Sequence, residues 1–75
     1  MKLYGKETVN LFGESCLDIM DKNMNLLVSL GDAHADKMRE MRLNPFFVDH
    51  IIRFLQTQYP DIFPSNKKIT LDILD

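Results

Sequence analysis

The chain has almost none of the devices that let a short sequence hold itself together covalently. Among its 75 residues there is one cysteine, Cys16, so no disulfide can form within the chain, and a lone thiol suits a reducing compartment better than a stapled secreted scaffold. One Cys and two His, His34 and His50, are too few for a closed structural zinc site, which wants four ligands. At this length a single core rarely supplies more than ~3–5 kcal/mol after the chain is ordered. With staples excluded, self-association or a partner is the remaining source of stability.

Long apolar runs are missing too, the longest being short stretches such as Leu26-Leu27-Val28. The segment Met1-Lys2-Leu3-Tyr4-Gly5-Lys6-Glu7 has no apolar core of the kind that marks a leader, so neither a signal peptide nor a membrane span is read. Charge of one sign is lacking as well. Nine Lys and Arg stand against 11 Asp and Glu, for a net charge of −2. The bases Lys22, Lys37, Arg39, Arg42, Arg53, Lys67 and Lys68 are interleaved with acids, which disfavours phosphate-backbone binding. The cytoplasm is the expected location.

The sequence has no glycine-rich phosphate loop either, since Gly5, Gly13 and Gly31 are isolated. Ser15 and Ser29 have no neighbouring base at helical spacing. On a straight helix Cys16 and His34 would lie ~27 Å apart at 1.5 Å per residue, so they form no nucleophile–base pair within it. The Glu-x-x-His pattern of metal-binding bundles is absent, and on a helix Asp32 and Asp36 would face away from His34. No catalytic, cofactor or metal residue is therefore assigned, and no enzymatic activity is expected.

What is present is a 45% apolar composition, that of a globular chain, and an apparent helical rhythm. Val9, Phe12, Cys16, Ile19, Leu26, Leu30 and Ala33 fall at 3,4 spacing, with Asn23 filling one slot. A second seam runs beside them through Leu17, Met20, Met24, Leu27, Gly31, His34, Met38 and Met41. This spacing predicts a long helix over about 8–42, opened by Thr8. Gly31 is its weak point, since glycine inside a helix costs ~1 kcal/mol; a continuous helix and two pieces broken at Gly31-Asp32, with Asp32 as cap, both fit.

Asn44-Pro45 starts a second helix over about 45–59, because Asn is a preferred N-cap and Pro suits the first helical position. Phe47, Val48, Ile51, Ile52, Phe54, Leu55 and Tyr59 share one face, with Asp49 and Arg53 paired at i,i+4 on the other. Phe47, Ile51, Phe54 and Leu55 are expected to pack inward. Pro60 ends the helix. The tail, about 65–75, alternates polar and apolar through Lys68, Ile69, Thr70, Leu71, Asp72 and Ile73, a strand pattern.

The sum is one small all-α domain: a helical hairpin or small bundle with an extended or strand-like tail. On the long helix the apolar arc would span roughly 200°, wider than one neighbour covers. Ile19, Asn23, Leu26, Leu27, Leu30 and His34 are therefore the candidate interface, and Ile69, Leu71 and Ile73 a candidate docking tail. The function expected is a protein–protein interaction module. It would work as a homo-oligomer or on another protein, as an inhibitor, immunity or antitoxin-like factor, chaperone or assembly subunit. The first alternative is a dimeric helical regulator of nucleic-acid processes that gathers Lys37, Arg39, Arg42 and Arg53 on one surface. A less favoured one is an amphipathic surface-coating protein, whose acidic polar face does not suit membranes.

Overall fold

In the computed structural model the chain is a four-stranded sheet carrying two helices, in the order β1 (Lys2–Val9), β2 (Ser15–Met20), β3 (Leu26–Leu30), α1 (Asp32–Met41), α2 (Pro45–Gln58) and β4 (Thr70–Leu74). The structure describes residues 1–41 and 44–74, without the side chains of 32, 33, 38, 39 and 41. Arg42, the expected end of the long helix, and the side chains of Asp32, Ala33, Met38, Arg39 and Met41, which the sequence reading placed on caps, seams or a basic cluster, lie outside that description.

The all-α expectation is overturned. Residues 8–31 of the expected long helix form instead the end of β1 and all of β2 and β3 in an antiparallel meander, and only the stretch from Asp32 is helical. No helical bundle or hairpin is built on 8–42. The physical reason lies in how side chains are shared between faces. Within β2, Leu17 and Ile19 are fully buried while Cys16, Asp18 and Met20 are half-buried on the opposite side, an alternation of period two. Because the strands are only five to eight residues long, each gives two or three inward positions. Strung together across the turns, these imitate 3,4 spacing.

The strand order is β3-β2-β1-β4. Strands β1 and β4 pair in parallel, Leu3 opposite Leu71 and Gly5 opposite Ile73. A β-carbon on Gly5 would meet Ile73 Cδ1 at 3.0 Å, so the absence of a side chain there lets β4 and β2 close over β1. A parallel neighbour needs a crossover, and α1, α2 and the segment after them provide it. The alternating tail is thus a strand, as its pattern predicts, and it lies at the sheet edge with Ile69 and Leu71 buried.

Helix α2 forms as its sequence predicts. Asn44 caps it, its Oδ1 accepting from Phe46 N at 2.9 Å, with Pro45 in the first turn. Phe47, Ile51 and Leu55, spaced by four, are its buried stripe and join Leu3, Leu17, Ile19, Leu30, Ile69 and Leu71 in one core. Phe54 is only half-buried and packs at the margin. Phe63, in the segment after the helix, is fully buried. That segment is pinned by Gln56 Nε2, which donates to the carbonyls of Pro64 and Lys67 at 3.2 and 3.3 Å. Covering Phe63 and the α2 stripe removes apolar surface worth ~1.5–3 kcal/mol per large side chain, and both layers of the fold draw on it.

On the sheet face away from this core, a polar row crosses three strands: Thr8 Oγ1 and Ser29 Oγ both donate to the Asp18 carboxylate, at 3.0 and 2.6 Å. Lys2 and Asp72 form an ion pair between β1 and β4.

Candidate interaction surface

The two antiparallel connections are one loop built twice. At 10–14, Asn10 Oδ1 accepts from the backbone N–H of Phe12 and Glu14, Gly13 N donates to Asn10 O, and Asn10 N donates to Glu14 O. At 21–25, Asp21 Oδ1 accepts from Asn23 and Asn25, Met24 N donates to Asp21 O, and Asp21 N donates to Asn25 O. All eight distances lie between 2.8 and 3.0 Å. In both, the fourth residue is left-handed, with φ of 78° at Gly13 and 66° at Met24. An Asx side chain at the first position and a left-handed residue at the fourth are what a tight hairpin of this length asks of its sequence. The two central positions are unconstrained.

They are filled in opposite ways. The 21–25 loop carries Lys22 and Asn23 there, both exposed, as a solvent-facing turn ordinarily does. The 10–14 loop carries Leu11 and Phe12, which are 101% and 86% exposed. Val9, at the end of β1, is also exposed. Together they make an apolar tip whose backbone is held by Asn10, and Asn10 Nδ2 additionally donates to Glu14 Oε1 at 3.2 Å. Sequence reasoning placed Phe12 and Val9 on a helical seam and missed the tip. The signal that could have found it was Asn10-x-x-Gly13 between two short apolar stretches.

The residues expected to form an interface are scattered by the strands. Ile19 and Leu30 lie in the chain's own core, and Leu27 packs against that core at an irregularity in the β2–β3 register. Leu26 is 60% exposed on β3, while Asn23 sits exposed in the polar loop. His34 is half-buried on α1, its ring 4.5 Å from that of Phe54. Partial burial and the nearby His50 hold its pKa below the ordinary 6.5. The seam that joined these residues was a property of the expected helix and has no counterpart here. Of the tail, Ile69 and Leu71 are buried and Ile73 packs against the core.

A second apolar feature lies where α1 meets the first turns of α2. A notch of about 230 Å³ is lined by His34, Lys37, Phe46, Phe47 and His50. Phe47 is its buried floor; Phe46 stands beside it 80% exposed. Lys37 Nζ lies 3.7 Å from Glu40, both largely exposed, a pairing worth little in water, so the ammonium is available at the rim. Among the described residues, no group of three or more His, Cys, Asp and Glu side chains could hold a metal ion, and no helix is long and apolar enough to cross a membrane. No protein-family model matches the chain, and neither a curated protein nor a solved structure is significantly similar to it.

Proposed function

We propose that this chain is a protein–protein interaction module that presents the 10–14 tip to another protein chain and acts by contact rather than by catalysis. The reading is carried by the contrast between the two loops. The loop geometry draws on the Asn10 and Asp21 side chains and on a left-handed residue at positions 13 and 24, but it asks nothing of the two residues between them. Leu and Phe at those positions leave apolar area in water that burial elsewhere would turn into ~1.5–3 kcal/mol each. Exposed apolar groups clustered on a fixed backbone are what docking sites use, because the ordering of the loop is complete before the partner arrives.

The twin loop provides an internal control. With a photo-reactive benzophenone amino acid in place of Phe12, or alternatively in place of Asn23, irradiation of the intact source cells should give a discrete protein adduct from position 12. Position 23 should give none. Equal adducts from both positions, or none from position 12, would remove the basis for the reading.

A further inference from the structure

We infer that the chain associates with itself head to tail, the 10–14 tip of one copy seating in the α1–α2 notch of another. The inference rests on the reading of the tip as a docking element and names its partner: a second copy of this chain.

Three observations meet here. The tip is a protruding apolar knob, with Phe12 almost wholly exposed, and the notch is a recess of complementary character, floored by Phe47 and walled by Phe46. At about 230 Å³ the notch is smaller than the ~300–1,000 Å³ of pockets that enclose small-molecule ligands. It has room for one or two side chains and not for a helix. Rings meeting there can stack offset or edge to face, as aromatic side chains prefer. Charge agrees as well as shape. The knob carries the exposed carboxylate of Glu14 beside Phe12, whereas the notch is lined by the Lys37 ammonium, held only by an exposed pairing with Glu40 at 3.7 Å that Glu14 can replace. A tip placed on a tip would bring Glu14 against Glu14, so charge favours tip-in-notch over a symmetric tip-to-tip contact.

The knob does not fill its own chain's notch, since Leu11 and Phe12 are exposed in a loop fixed by two hydrogen bonds to Asn10 Oδ1. A tip and a notch on different parts of one surface make a heterologous contact, which propagates into rings or open chains. The contact is small beside the ~800 Å² per partner of a stable complex. Association is accordingly weak and concentration-dependent.

The test uses two variants at exposed positions, Phe12→Asp, which keeps the notch, and Phe46→Asp, which keeps the tip; their melting curves establish that each is folded. Sedimentation equilibrium of the parent at up to millimolar concentration should show an average mass that rises with concentration. NMR shifts of the 11–14 amides and of the Phe46 and His50 rings should move along the same concentration curve. Each variant by itself should stay monomeric. An equimolar mixture should recover association through the one intact tip and one intact notch, and stop at two chains where the parent continues. A parent that remains monomeric overturns the inference, as does a Phe46→Asp variant that associates like the parent or a mixture that regains nothing. If the parent is monomeric while position 12 still crosslinks to a different protein in cells, self-recognition fails and the interaction module stands. If position 12 crosslinks to nothing, both fail.

Discussion

Met24 is the residue at which the backbone is most clearly at odds with its side chain. It occupies the left-handed position that Gly13 fills in the twin loop, and a side chain there costs roughly 1–2 kcal/mol. Its own packing offsets little, because it is 49% exposed. Met24→Gly therefore relieves strain, but frees the unfolded chain by ~0.5–1 kcal/mol. The net expectation is a small stabilisation, about 0.5–1 kcal/mol, seen as a higher urea midpoint at unchanged slope. A lower midpoint would show that the Met24 thioether contributes packing its exposure does not suggest. The reciprocal change, Gly13→Val, introduces the same strain with a branched side chain and should lower the midpoint.

At the scale of elements, β4 carries more than its edge position suggests. Ile69 and Leu71 lie within the core shared with α2, and β4 pairs with β1 in parallel along Lys2–Lys6. Removal of 69–75 takes away two buried side chains, each worth ~2–5 kcal/mol when truncated. The expectation is loss of cooperative unfolding and of most secondary structure at room temperature. A truncated chain that kept a native far-UV spectrum and a sigmoidal melt would contradict the shared core. What could be read in advance differs by element for identifiable reasons. Helix α2 was legible because Asn44-Pro45 marks its start and the 47, 51, 55 stripe is long enough to establish a period. Strand β4 was legible because Ile69, Leu71 and Ile73 alternate with polar residues without interruption. Strands β1 to β3 were not. Their inward residues are few, and their sequences, such as Leu26-Leu27-Val28-Ser29-Leu30, lean on leucine, which has no strong strand preference. Their turns lack proline, and Met24 stands where a glycine would have flagged the second hairpin. The candidate tip was hidden by the same error: once 8–42 is taken as helix, Phe12 becomes one apolar seam residue among many.

For the molecule as a whole, a single core joins both layers, since Leu17 and Ile19 of β2, Leu3 of β1, Phe47, Ile51 and Leu55 of α2 and the intervening Phe63 lie in one cluster. No element has a core of its own to fall back on. Unfolding should accordingly be all-or-none, as is usual for domains of this size. The slowest-exchanging amides of β2, such as Leu17, and of α2, such as Leu55, should report the same opening free energy by native-state hydrogen exchange. A lower opening energy for α2 by more than about 1 kcal/mol would mean that the helix can detach while the meander persists. The 10–14 tip stands outside this unit, so a change at Phe12 is expected to leave the fold in place.

The parallel pairing of β1 with β4 also sets an order of events during synthesis. The Met1 nitrogen donates to the carbonyl of Lys68, and Thr70 N donates to Met1 O, so β1 waits for residues made some seventy positions later. Closing so long a stretch of chain slows folding relative to local pairings. Until residues 70–74 leave the ribosome, the meander of β1 to β3 has β1 as an open edge, with the N–H and C=O groups that face β4 along Lys2–Lys6 unpaired. Such an edge is a template for pairing with a neighbouring nascent chain. A chain made only as far as α2 is therefore more exposed to aggregation than one in which β4 has paired, and the arrival of β4 is what ends that exposure.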